Sequence, residues 1–71
     1  MKLRLDDEVN AIYIELRDSH AERTVEIQEG LLADFDENDE LIGLEILNEG
    51  LFLEALRAHK GEILIPEKLI V

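Results

Sequence analysis

Five short runs in this chain alternate apolar and polar side chains with a period of two, the spacing of a half-buried β-strand. Met1, Leu3 and Leu5 alternate with Lys2 and Arg4. Ile12, Ile14 and Leu16 alternate with Tyr13 and Glu15. Val25 and Ile27 flank Glu26, and Leu31, Ala33 and Phe35 flank Leu32 and Asp34. Ile42, Leu44 and Ile46 alternate with Gly43 and Glu45. Turn-forming clusters separate the runs at Asp6–Asn10, Asp18–Glu22, Gln28–Gly30 and Glu37–Glu40.

Register follows from this pattern. Directly opposed residues of an antiparallel pair share a face, and a one-residue slip inverts every side chain. A loop at Asp7–Asn10 pairs Leu5 with Ile12 and Leu3 with Ile14. A loop at Ser19–Glu22 pairs Leu16 with Val25 and Ile14 with Ile27, and sets Glu15 opposite Glu26. A loop around Asn38-Asp39 pairs Phe35 with Ile42, Ala33 with Leu44 and Leu31 with Ile46. Between the third and fourth runs, a two-residue turn splits the apolar face. A three-residue loop ending at Gly30 keeps it whole, pairing Ile27 with Leu31 and Val25 with Ala33. Such a loop needs a left-handed residue at its third position, which glycine adopts at least cost. The expectation is a five-stranded antiparallel meander over residues 1–47 with one continuous apolar face.

That face needs a cover. Asn48 can cap a helix over residues 49–60, with Gly61 just past its end, and Leu51, Phe52, Ala55, Leu56 and His59 follow helical spacing. Residues 62–71 form an apolar tail in which Ile63–Ile65 read as a short strand before Pro66. The fold class expected is α+β, a single domain over residues 1–71.

Composition narrows the function classes. The chain has 71 residues, 46% of them apolar, and a formal charge of −11. Apolar content excludes an acidic disordered tail, and the charge has the wrong sign for a nucleic-acid binder. No apolar run is long enough to span a membrane. A domain of about 60 residues buries only ~60% of its unfolded surface, so small domains lean on disulfides, metals or oligomerisation. There is no cysteine, which leaves a homo-oligomer as the expected source of further burial. Absence of cysteine and of a signal-like apolar start points to the cytoplasm. The charge is uneven: residues 1–50 hold 4 basic and 15 acidic side chains, a net of 4 − 15 = −11, and residues 51–71 balance to zero.

Candidate chemistry is sparse. Asp34, Asp36, Asn38 and Glu45 fall at the first, third, fifth and twelfth positions of a calcium-loop spacing. The sixth position, where a sharp turn calls for glycine, is Asp39, and the flanks alternate as strands. The segment therefore reads first as an acidic hairpin and second as a weak divalent-cation site of Asp34, Asp36 and Glu45. Glu15 and Glu26, if opposed, would raise one carboxyl pKa, yet no nucleophile or oxyanion donor converges on them. Asp18-Ser19-His20 is turn chemistry, and His59 suits a helix C-terminus. The four glycines are isolated, so no phosphate loop and no cofactor is expected. Tyr13, Leu32, Leu41 and Leu47 interrupt the polar sheet face, and with Ile63, Ile65 and Ile70 of the tail they are the expected interface.

Several segments together resemble a small prokaryotic family. They are Asp6, Asn10-Ala11-Ile12-Tyr13-Ile14-Glu15-Leu16, Thr24-Val25-Glu26, Glu29-Gly30-Leu31, Asp34-Phe35-Asp36 and Leu41-Ile42-Gly43-Leu44-Glu45-Ile46-Leu47. The sequence over residues 1–48 resembles the domain-of-unknown-function family numbered 2283. The resemblance implies glycine in the acidic hairpin, where this chain has Asp39. It carries no catalytic residues, because the family has no established activity. Some members lie beside small toxin-like proteins, which implies an antitoxin or neutralising role toward a basic partner.

The reading that results is a non-enzymatic protein-interaction module forming a homo-oligomer, with no nucleic acid or membrane as partner. Its alternatives are a divalent-cation protein or small metal-assisted hydrolase using Asp34, Asp36, Glu45 and Glu26, and a nucleic-acid mimic that neutralises a basic protein.

Overall fold

The computed structural model describes residues 1–69, and all five alternating runs become strands in it. They are β1 (Lys2–Asp6), β2 (Ala11–Glu15), β3 (Arg23–Gln28), β4 (Leu31–Phe35) and β5 (Leu41–Ile46), followed by one helix, α1 (Glu49–Ala58). The fold is α+β, with every strand pair antiparallel.

Strand order is β1-β2-β5-β4-β3, not that of a meander. β2 pairs with β5 through Ile12↔Ile46 and Ile14↔Leu44. The expected pairs of Leu16 with Val25 and Ile14 with Ile27 do not form, and Glu15 faces Lys2 and Gly43 instead of Glu26. Both arrangements set apolar against apolar, so periodicity alone does not separate them. Polarity does: β3 carries Arg23, Thr24, Glu26 and Gln28 and suits an edge, whereas β5 has a single charged residue and suits the centre.

Within hairpins the registers hold with two local shifts. Leu5 pairs Ile12 and Leu3 pairs Ile14, and the β4–β5 hairpin pairs Ala33 with Leu44 and Leu31 with Ile46. Phe35 meets Leu41 rather than Ile42, because the ladder shifts after Asp34. Val25 pairs Ala33, but Leu31 meets Gln28 rather than Ile27, with the irregularity between Glu26 and Gln28. Gly30 has φ 84°, the left-handed conformation the loop demanded. Asp39 has φ 62° and occupies the position where the resemblance implies glycine.

Asn48 caps α1, its Oδ1 accepting from the Leu51 N–H at 3.1 Å. The helix stops two residues before the expected Lys60. Lys60 N–H donates to Arg57 O (3.2 Å) and Gly61 N–H to Leu56 O (2.6 Å), the double bond of a Schellman ending. The first residue past the cap, Lys60, is left-handed (φ 58°), and Gly61 after it also has a positive φ (86°). Ile63–Ile65 is not a strand. The tail instead bridges two residues past Pro66, at Lys68↔Glu40, with Leu41 N–H donating to Glu67 O and Leu69 N–H to Asp39 O. Ile70 lies outside the described residues.

The segment after β5 thus meets both ends of the β4–β5 hairpin. Near α1, a Cβ on Gly30 would lie 3.3 Å from Leu51 Cβ. At the other end stand the tail bonds to Asp39, Glu40 and Leu41. Between them Leu51, Phe52, Ala55, Leu56, Ile63 and Ile65 are half-buried, although α1 has no fully buried residue. The core is small: Ala11, Leu31, Ala33, Phe35, Ile42 and Ile46. The described Cα atoms span 31 × 28 × 17 Å, the thickness of a sheet with one added layer. No helix among the described residues is long and apolar enough to cross a membrane.

Candidate functional site

Pairing fixes what each face carries. One row runs Leu5, Ile12, Ile46, Leu31 across β1, β2, β5 and β4. The next runs Leu3, Ile14, Leu44, Ala33, Val25 across all five strands. Neither row contains a charge. From β4 toward β1 exposure rises along them: Leu31 is 1% and Ile46 8% exposed, whereas Leu5 is 59% and Leu3 67% exposed. Leu16 and Met1 continue the exposed end. These residues look like core in the sequence, and their role as surface comes only with the strand order. With β5 at the centre, the β1–β2 hairpin lies across β5 from β4 and β3, and only the end of β2, through Leu16 and Arg17 at Ile42 and Glu40, comes near the tail.

The opposite face carries the rows Lys2, Glu15, Gly43, Asp34, Thr24 and Arg4, Tyr13, Glu45, Leu32, Glu26. The Arg4 guanidinium stands 4.9 Å from the Tyr13 ring centroid and 3.7 Å from a Glu15 carboxylate oxygen. Tyr13 leans diagonally across Gly43. A Cβ there would lie 2.1 Å from the phenol oxygen, so only glycine leaves room for the ring. Beyond Gly43 is Asp34, whose Oδ1 accepts from Thr24 Oγ1 at 2.6 Å. Burial pushes the Tyr13 phenol above its ordinary pKa of 10.0, and the negative Asp34 carboxylate with its hydrogen bond adds to the rise. The Ala-Ile-Tyr-Ile and Ile-Gly-Leu-Glu segments are therefore one device, an aromatic ring laid over a sheet glycine.

Asp34, Glu45, Tyr13 and Leu47 line one groove of about 770 Å³, together with Arg4 and the β1–β2 turn. Asp36 is elsewhere. It is buried, and its Oδ1 accepts from the N–H groups of Asn38 (2.8 Å) and Glu40 (3.0 Å), closing the β4–β5 loop. Arg23 and Asp39 form an ion pair beside that loop. Among the described residues no group of three or more His, Asp or Glu side chains is gathered for a metal. Of the expected interface residues, Tyr13, Leu32, Leu41, Ile63 and Ile65 are half-buried and Leu47 is exposed.

Residues 2–49 match the model of a family described as a protein of unknown function, DUF2283. The chain belongs to that family. The DUF2283 match takes in all five strands, the helix cap and both faces of the sheet, and leaves out most of α1 and the tail. No curated protein and no solved structure matches the chain.

Proposed function

We propose that this DUF2283 protein is a non-enzymatic interaction module of the cytoplasm that works as a homo-oligomer. One observation carries the reading: a charge-free apolar sheet face is buried over β4 and left open over β1 and β2. Burying a leucine side chain is worth about 1.5–3 kcal/mol, so an open set of this size favours association. The small core of the lone subunit adds to the need.

Light scattering at roughly 10 μM tests the proposal. The expected mass is a multiple of 8.1 kDa. The double variant Leu3→Glu, Leu5→Glu keeps its far-ultraviolet dichroism and runs as a single subunit. A parent protein of single-subunit mass at that concentration removes the reading.

A second reading rests on the polar face. The groove there sets Asp6, Asp7, Glu8, Asp34 and Glu45 around Arg4, the one cation among the described residues that line it, which suits a basic protein partner. Binding of that kind weakens as salt rises.

A further inference from the structure

The β1–β2 half of the sheet is a single layer. The β4–β5 half has α1 at one end and the tail at the other, the tail also standing beside the end of β2 at Arg17, so the subunit is a step whose thin part is β1 and the body of β2. We propose, building on the oligomer reading above, that its occupant is one second copy, docked face to face over β1 and β2 in a two-fold lap joint. Each thin half lies on the other, and each thick half abuts the partner's hairpin.

Three observations select this occupant and mode. The first is area. Met1, Leu3, Leu5 and Leu16 are 91%, 67%, 59% and 38% exposed, and Ile12 and Ile14 are half-buried beside them. At about 60–120 Å² per side chain they offer on the order of 500 Å² per copy. Two copies then bury about 1,000 Å², the lower bound for a biological interface. The second is charge. Neither apolar row holds an ionised side chain, so apart from the Met1 α-amino group at the margin of the patch the two copies meet without desolvating a charge, although each carries −11 overall. The third is the edge. β1 is an outer strand whose Lys2, Arg4 and Asp6 share one face, so a second β1 added alongside with Leu3 opposite Leu3 brings Lys2 against Arg4 twice, and one centred on Arg4 sets the two guanidinium groups together. Face docking avoids that. A patch that meets itself closes at two, because the thick halves occupy the remaining approach.

The absence of native cysteine makes the geometry testable. Leu3→Cys and Leu16→Cys place a thiol on the open face, and Lys2→Cys places one on the opposite face. With a short bifunctional thiol reagent, the two face variants are expected to link as dimers and Lys2→Cys is not. Because the copies repel at a distance but touch through apolar groups, the dimer Kd is expected to fall at least threefold between roughly 50 and 500 mM salt. A parent dimer in which Lys2→Cys links while both face variants stay single overturns the lap joint and leaves the interaction reading standing. A Kd that rises with salt, or a mass above two subunits, overturns it as well. A parent that is monomeric throughout removes both.

Discussion

Leu31 and Leu5 stand in one row of one sheet, three strands apart, on the same face. Leu31 is 1% exposed and Leu5 59%. Neither residue type, strand alternation nor pairing partner separates them, since both oppose an isoleucine or lie one strand from one. The difference is what lies above: the segment after β5 comes down at both ends of the β4–β5 hairpin and does not extend over β1. A β-strand pattern therefore encodes which way a side chain points, and the layer above it settles whether the side chain is core or contact surface.

Truncation gives the sharpest contrast between the two halves. Phe35→Ala, at a fully buried position, is expected to cost about 3–5 kcal/mol. A chain of this length has a total stability of only about 4–10 kcal/mol, so the variant unfolds at low denaturant or on mild warming. Leu5→Ala is expected to change subunit stability by less than about 0.5 kcal/mol in urea melts at high dilution, where association is absent. Equal costs at the two sites would erase the distinction.

The seam between the halves, where Tyr13 of β2 lies over Gly43 of β5, responds next. Gly43→Ala is expected to cost about 1–3 kcal/mol, and less when Tyr13 is already Leu, so the double-variant cycle is non-additive. Ultraviolet titration of the single tyrosine is expected to show its midpoint above 10.0 in the parent and lower in Asp34→Asn. The phenol holds its proton more firmly folded than unfolded. That stabilisation is present below the unfolded pKa and is lost as pH rises through the folded one, so the seam weakens in strong alkali.

The smallest effect belongs to the covering layer. Lys60 closes α1 in a left-handed conformation that glycine adopts freely. Lys60→Gly is expected to stabilise the subunit by about 0.5–1 kcal/mol by thermal melt, with no change in oligomer mass.

Much of the fold was legible in the residues because local rules govern it. Alternation located all five strands, the left-handed demand at Gly30 located the third turn, and Asn48 located the helix cap. Strand order was not legible, since Ile14 pairs equally well with Ile27 or Leu44 by face and the choice turns on which strand tolerates an edge. The candidate site was lost with it. Leu3 and Leu5 read as core, and only the insertion of β5 beside β2 moves them away from the covering layer. The role of Asp36 in its loop was not legible either, because spacing alone does not show that two backbone N–H groups of that loop donate to one of its oxygens.

The position of β5 also sets an order of events. The β1–β2 and β3–β4 hairpins are each local, but they share no edge, and the strand that joins them is the last of the five in the chain. Until residues 41–46 enter between them, the two ribbons have unpaired inner edges. A two-stranded ribbon is marginal in water, so cooperative folding begins only with that late insertion. A chain ending before Leu41 would carry the residues of four strands and lack the one that joins its two ribbons into a sheet.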